Sequence, residues 1–156
     1  MADRLLDPNF LELLRFFESR GVRYLLIGGY AVILHGYNRT TDDIDLWLAV
    51  DPENAEKVSA ALQDFGFLRS DVPAEHFAVA GNMFRFGRPP TKVELSTSPS
   101  GVDFASCWES RTVFDVQGLS IPTINLADLR KNKRAAGRLK DLADLDNLPE
   151  PPADER

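Results

Sequence analysis

Two aspartates, Asp43 and Asp45, are the residues of this 156-residue chain best suited to chemistry. They lie in the segment from Asp43 to Leu48, where polar and apolar residues alternate as in a β-strand. Residues two apart in a strand point to the same face, so the spacing predicts two carboxylates side by side. Such carboxylates resist ionising together, and Mg²⁺ with nucleotide phosphates as further ligands removes the repulsion. The alternative for an isolated pair is a solvated strand face.

A pair of glycines precedes the aspartates. Gly28 and Gly29 stand between two apolar runs, Val22 to Ile27 and Tyr30 to His35, which predict a buried strand, a turn and a short buried helix. Glycine lets a backbone approach a ligand closely, and the free N–H groups at a helix N-terminus favour an anion such as phosphate. The pair therefore indicates either a phosphate-binding backbone or a plain turn.

The remaining elements follow from apolar periodicity, capping residues and turn residues. The predicted elements are amphipathic helices from Asp7-Pro8 to Gly21 and from Asp51-Pro52 to Gly66, strands over Asn82 to Phe86 and Thr91 to Ser96, a hairpin over Val113 to Val116 and Leu119 to Ile121 that Pro122 ends, and one long helix from Asn125 to Leu145. Because helices and strands are interleaved, we expect an α/β (α+β) fold with a mixed sheet flanked by helices. It forms one domain over residues 1–148, followed by a disordered tail over residues 149–156.

The composition limits the classes of function. Hydrophobic residues make up 44% and charged residues 27% of the chain, as in a globular domain. The 24 acidic and 18 basic residues give a formal charge of −6, which argues against a surface that coats nucleic acid. With Cys107 alone, no intramolecular disulfide forms, and a cytoplasmic location is expected. No apolar stretch suits a signal peptide or a membrane span, so no membrane partner is expected.

Some enzyme classes lack the residues they need. No lysine follows the glycine pair as it would in a P-loop, which excludes that class of nucleotide site at the level of the motif. The chain has two histidines, His35 and His76, which disfavours a Ser-His-Asp hydrolase and gives a zinc site nothing to build on.

Together, Gly28, Gly29, Asp43 and Asp45 resemble the signature of the nucleotidyltransferase superfamily with the DNA polymerase beta-like fold, which is a Gly-Gly or Gly-Ser turn followed by Asp-hydrophobic-Asp. The resemblance is closer to the minimal bacterial nucleotidyltransferases, which include antibiotic-modifying enzymes and the abortive-infection, type IV toxin–antitoxin class. It covers residues 9–148. Two motifs of that subset are matched by Gly28, Gly29, Ala31, Gly36, Arg39, Thr41, Asp43 and Asp45, and later by Lys133, Ala136, Arg138, Lys140, Asp141 and Asp144.

The superfamily has a third carboxylate on a later strand, and Glu94 is our candidate for it. Strand alternation places Glu94 on one face with Lys92 and away from its apolar neighbours. The subset more often has Asp at this position, so Asp103 and Asp115 are alternatives, and Asp103 also fits a helix cap. Glu94 is otherwise interpreted as a cross-strand ion-pair partner. The resemblance thus implies catalysis and metal binding by Asp43, Asp45 and Glu94.

The segment from Arg130 to Lys140 contains six basic residues and no acidic residue. A run of this kind is typical of a solvated helix face. We expect Lys133, together with Arg138, to contact nucleotide phosphates or an acidic acceptor instead. The predicted nucleotide-binding residues are therefore Gly28, Gly29, Arg39, Thr40, Thr41, Lys133 and Arg138.

The resemblance implies a Mg²⁺-dependent enzyme that moves a nucleoside monophosphate from an NTP to an acceptor hydroxyl and releases pyrophosphate. Two Mg²⁺ ions are expected, with Mn²⁺ as the alternative. The acceptor is a tRNA, a protein or a small hydroxylated molecule, and a cognate antitoxin or a second copy of the chain is a candidate partner. Two other hypotheses stay open: a non-catalytic nucleotide-binding or antitoxin-like module of the same fold, and a structural partner subunit.

Overall fold

The computed structural model describes residues 5–155, which form one six-stranded sheet and its flanking helices. In chain order the elements are α1 (Pro8–Ser19), β1 (Tyr24–Ile27), α2 (Gly28–Leu34), β2 (Asp43–Leu48), α3 (Pro52–Phe65), β3 (Met83–Phe86), β4 (Lys92–Ser96), α4 (Phe104–Glu109), β5 (Thr112–Val116), β6 (Leu119–Thr123), α5 (Leu126–Ala136) and α6 (Leu139–Asn147). Short 3₁₀ turns span Arg69–Asp71, Ala74–Ala78 and Ala153–Glu155. None of the described helices is both long and apolar enough to cross a membrane.

The sheet is mixed, with the strand order β3-β4-β2-β1-β6-β5. β2 pairs parallel with β4 and antiparallel with β1. β1 pairs parallel with β6, and β3 and β5 lie antiparallel to their neighbours at the two edges. The predicted α/β architecture, a mixed sheet flanked by helices, is confirmed. The two strands predicted to carry carboxylates, β2 and β4, are neighbours, and both lie inside the sheet rather than at its edges.

Helix starts follow the predicted caps. The Asp7 side chain accepts a hydrogen bond from the backbone N–H of Asn9, and the Asp51 side chain accepts one from the backbone N–H of Asn54. Each cap thus satisfies an N–H group that the helix leaves free. Proline follows each cap at the first helical position. One face of α1 is buried against the core through its predicted apolar positions, Phe10, Leu13, Leu14 and Phe17.

The prediction of a single long C-terminal helix is wrong, because the structure has two helices there. The apolar periodicity continues past Gly137, but this residue adopts the left-handed conformation (φ +66°) and ends α5, as glycine favours at a helix C-terminus. α6 starts anew at Leu139, where the Asp141 carboxylate accepts a hydrogen bond from the Arg138 amide. The break turns α6 back against α5, so that side chains of both helices meet.

One other difference concerns the end of a strand. β6 continues through Pro122 to Thr123, so the prediction that Pro122 ends the strand is wrong. Proline is tolerated where the ladder needs no N–H donor, and Pro122 lies opposite Val113 of the edge strand. In the tail predicted to be disordered, Glu155 accepts a hydrogen bond from the Ala127 amide. Residues 1–4 of the predicted domain and residue 156 lie outside the described residues.

Candidate active site

Three carboxylates meet where β2 and β4 run side by side. The parallel register pairs Asp45 with Glu94 and Asp43 with Lys92. Because alternate residues of both strands point to one face, Asp43, Asp45 and Glu94 bring carboxylate oxygens within 4.8 Å of one another. All three side chains are partly buried. The structure therefore brings together the three residues predicted as metal ligands.

The two alternative third carboxylates lie elsewhere. Asp103 caps α4, where its side chain accepts a hydrogen bond from the Ser106 amide. Asp115 lies on β5, at the far edge of the sheet from β4, and accepts a hydrogen bond from the Ser120 hydroxyl. Neither belongs to the carboxylate cluster.

Crowding and burial perturb the carboxylates. The pKa of Asp45 is raised from 3.8 to about 7, first by burial and then by the negative charge of Asp43 and by the neighbouring Glu94, whereas Lys133 acts in the opposite direction. Burial also acts to raise the pKa of Glu94, but hydrogen bonds with Asp45 and Lys92 outweigh it and hold that pKa below its ordinary value. At neutral pH Glu94 is therefore ionised. Asp45 is only partly ionised at this pH, at which an ordinary aspartate is fully charged.

Two cations contact the cluster from the β3 side. Lys92 Nζ lies 3.2 Å from Glu94 and 3.4 Å from Asp43, and Arg85 Nε lies 3.3 Å from Glu94. Sequence reasoning missed Arg85, although its place in the alternating strand Met83–Phe86 puts it on the exposed face. The antiparallel register, which sets Arg85 opposite Glu94, follows only from the sheet order.

Side chains of the site pack directly against the two glycines, Gly28 and Gly29. Gly28 has a φ of +69°, and a Cβ atom added there would lie 2.0 Å from the Asp45 carboxylate. A Cβ atom on Gly29 would lie 2.5 Å from the Thr41 hydroxyl. That hydroxyl in turn lies 3.3 Å from the Asp43 carbonyl oxygen. Glycine is thus required at both positions because the aspartate strand and the preceding loop pack directly onto the turn.

The basic residues predicted to bind nucleotide are held by two aspartates of α6. Lys133 is buried, with its Nζ 3.0 Å from Asp144 and 3.3 Å from Asp141. Arg39 binds Asp144 through two hydrogen bonds of 2.8 and 2.9 Å. Arg138 donates to Asp141 at 2.7 Å. We call these five residues the ionic network, which joins the loop before β2, α5 and α6.

The remaining predicted nucleotide-binding residue, Thr40, is exposed. Its carbonyl oxygen accepts a hydrogen bond of 2.8 Å from Arg39. Thr40 therefore contributes its backbone to the position of the Arg39 guanidinium.

Two clefts open beside the aspartates. The strand cleft, of about 550 Å³, is lined on the β3–β4 side by Arg85, Lys92, Glu94, Ser96 and Ser98. The glycine cleft, of about 240 Å³, is lined on the other side by Gly29, Tyr37, Arg39, Thr41 and Asp144. The residues that border both are Gly28, Asp43, Asp45, Lys133, Arg138 and Lys140. Two molecules bound in the two clefts would meet at the carboxylate cluster.

Residues 9–148 match the family described as "Nucleotidyltransferase of unknown function (DUF6036)". Among similar solved structures, the lincomycin-bound lincosamide antibiotic adenylyltransferase LnuA has 16% identity and a TM-score of 0.57, over 91% of this chain and 95% of that chain. An antigenic nucleotidyltransferase-like protein from Paracoccidioides brasiliensis has 17% identity and a TM-score of 0.51, over 89% of this chain and 73% of that chain. No curated protein matches significantly. At these identities the two structures show a shared fold.

Proposed function

This chain belongs to the DUF6036 family of nucleotidyltransferases, and from that premise we propose that it transfers a nucleoside monophosphate from an NTP to an acceptor hydroxyl. The observation that carries the proposal is the carboxylate cluster of Asp43, Asp45 and Glu94, placed between two clefts. In the reaction, the acceptor oxygen forms a bond to the α-phosphorus. The bond from that phosphorus to the bridging oxygen breaks, and pyrophosphate leaves.

The carboxylate cluster fits a divalent metal. Oxygen ligands from three carboxylates suit Mg²⁺, with Mn²⁺ as the alternative. Burial first, and then Asp43 and Glu94, raise the pKa of Asp45 to about 7, so a bound cation would favour its ionised form. Two bound Mg²⁺ ions would act as Lewis acids, activating the acceptor oxygen and stabilising the leaving pyrophosphate.

The glycine cleft suits the triphosphate. Its backbone N–H groups at Gly28 and Gly29 and the guanidinium of Arg39 face the aspartates from one side. The ionic network holds three cations against two aspartates, so it keeps one net positive charge. Because Asp141 and Asp144 fix Lys133 and Arg39 in place, these groups are positioned before the nucleotide arrives.

In the proposed reaction Glu94 accepts the proton of the acceptor hydroxyl. It borders the strand cleft, and its strand β4 lies on the other side of β2 from β1, the strand that leads into Gly28. Its lowered pKa, to which Asp45 and Lys92 contribute against the effect of burial, keeps it ionised at neutral pH. An ionised carboxylate next to the bound hydroxyl is what general-base catalysis needs.

A second candidate function is a nucleotide-binding module without turnover. One observation favours it, because Lys92 and Arg85 already compensate the charge of Glu94 and Asp43 without a metal. Such a module would bind Mg²⁺ and ATP and transfer nothing.

The acceptor hydroxyl of an active enzyme belongs to a tRNA, a protein or a small molecule, and modification of tRNA or protein would be consistent with a toxin–antitoxin role.

Labelling separates the two functions. The protein is incubated with each α-³²P-labelled NTP, Mg²⁺ and cell extract, in parallel with the Asp43→Asn variant. An active enzyme transfers label to an acceptor, and the label disappears with the variant or with EDTA. Binding of Mg²⁺ and ATP by the wild type with no Asp43-dependent label would contradict transfer and support the binding module.

A further inference from the structure

Arg85 and Lys92 form a basic pair at the mouth of the strand cleft. The Arg85 side chain is 60% exposed and the Lys92 side chain 31% exposed. Both reach the same Glu94 oxygen, and Lys92 also reaches Asp43. These contacts of 3.2 to 3.4 Å are longer than ordinary charge-assisted hydrogen bonds, which measure about 2.7 to 2.9 Å. Because both side chains are also partly exposed, they can exchange the carboxylates for another anionic partner.

The pair and a metal compete for the same oxygens. Asp43 and Glu94 are the residues that would hold Mg²⁺, and an oxygen bound to a metal is a poor acceptor for a lysine or arginine. Loading of the carboxylate cluster with Mg²⁺ and nucleotide therefore weakens the present contacts of Arg85 and Lys92. Two cations whose charge is less compensated then face the strand cleft.

The position of the pair assigns it to the acceptor side. Arg85 and Lys92 line the strand cleft, whereas Gly29 and Arg39 line the glycine cleft across Asp43 and Asp45. Glu94, the group placed to accept the hydroxyl proton, lies within 3.3 Å of both cations. An acceptor hydroxyl beside Glu94 would thus have its neighbouring substituent next to the basic pair.

On the basis of the proposed function, we infer that Arg85 and Lys92 form a binding site for the acceptor. The acceptor that fits is an anionic hydroxyl compound that carries a phosphate group close to the reacting hydroxyl. The site becomes available when Mg²⁺ and nucleotide occupy the carboxylate cluster. Phosphate fits because guanidinium and ammonium groups bind its oxygens by charge-assisted hydrogen bonds. A cationic acceptor would be repelled there.

The test uses the full chain, Mg²⁺ and α,β-methylene-ATP, an analogue that binds without transfer. Calorimetry first measures analogue binding in the wild type, in Asp43→Asn and in the Arg85 and Lys92 variants. Equilibrium dialysis then measures binding of ³²P-labelled inorganic phosphate to the loaded and to the metal-free protein. The variants are Arg85→Gln and Lys92→Gln, with Arg88→Gln in the exposed β3–β4 turn as the control of equal charge change.

The loaded wild type is expected to bind one phosphate, more tightly than the metal-free protein. Arg85→Gln and Lys92→Gln should each weaken it about tenfold, as loss of one charge-assisted contact does, and Arg88→Gln should not. Competition by the dinucleotide ApA indicates a nucleic-acid end as the source of the phosphate, and competition by ribose 5-phosphate indicates a small metabolite. Either result supports the site.

The proposed site is wrong if the loaded protein shows no saturable phosphate binding, or if Arg85→Gln and Lys92→Gln bind phosphate as tightly as the wild type. Weaker analogue binding by those two variants would also overturn it, because the pair would then be a nucleotide contact. Competition by uncharged adenosine as strong as that by ApA would also contradict it. If the wild type does not bind the analogue in an Asp43-dependent manner, the proposed function itself fails, which the first measurement shows separately.

Discussion

Replacement of Asp45 by asparagine should stabilise the metal-free protein while it destroys the candidate metal site. In the folded chain the pKa of Asp45 is raised to about 7, chiefly by burial and then by Asp43 and Glu94. Each pKa unit of the rise from 3.8 to about 7 is worth about 1.4 kcal/mol, so ionised Asp45 lowers the free energy of unfolding by about 4 kcal/mol above pH 7. Asparagine removes this charge and keeps the shape of the side chain.

The pH dependence has a definite sign. Between pH 4 and 7 the folded chain holds a proton on Asp45 that the unfolded chain has lost, so the contribution of Asp45 to the stability of the wild type falls as the pH rises. Below this range Asp45 is neutral in both states, and above it Asp45 is charged in both. The advantage of Asp45→Asn should therefore be small near pH 4, grow up to pH 7 and stay constant above it.

Urea unfolding in EDTA at pH 4.5 and pH 8 measures this difference, with the exposed Asp71→Asn as the control. At pH 8 the midpoint of Asp45→Asn should exceed that of the wild type, and Mg²⁺ should stabilise the wild type and not the variant. An Asp45→Asn protein no more stable than the wild type at pH 8, or a gain that is equally large at pH 4.5, would refute the electrostatic crowding of this site.

Three further substitutions test the parts of the site. Gly28→Ala would place a methyl group against Asp45 at a left-handed φ, so it should cost about 1 to 3 kcal/mol and weaken Mg²⁺ binding. Unfolding and Mg²⁺ titration measure both, and a variant that binds Mg²⁺ like the wild type would speak against the fitted turn. Asp144→Asn removes a partner from buried Lys133 and should cost about 3 kcal/mol and weaken ATP binding, as denaturation and calorimetry would show; unchanged stability would argue against the ionic network. Glu94→Gln should abolish transfer of labelled NMP, whereas Asp103→Asn and Asp115→Asn should keep it, and an equal loss in Asp115→Asn would contradict the choice of third carboxylate.

Local patterns predict the carboxylate pair and its strand. The alternation from Asp43 to Leu48 predicts one polar face, and the structure has β2 over the same residues. Glu94 also lies in a strand of the predicted type. That Glu94 joins the pair depends on β2 and β4 being parallel neighbours, which is a property of the whole sheet and is not contained in either strand.

The wrong prediction of one long C-terminal helix and the missed contact of Arg85 have a common cause. Gly137 fits the spacing of a continuing helix, and the break follows from the packing of α6 against α5 through Lys133 and Asp141. Arg85 stands in an ordinary strand pattern, and its role follows from the antiparallel partner it meets. Contacts between residues distant in the chain thus decide which of the locally allowed conformations and partners is used.

The central claim is that Asp43 supports nucleotidyl transfer to a hydroxyl acceptor. Cells that express the wild-type chain and cells that express Asp43→Asn are compared by mass spectrometry of their proteins, RNA and small molecules. The account predicts a species heavier by one nucleoside monophosphate residue in the wild-type cells alone. The same set of masses in both, with a folded and Mg²⁺-binding wild-type protein in the cells, would contradict it.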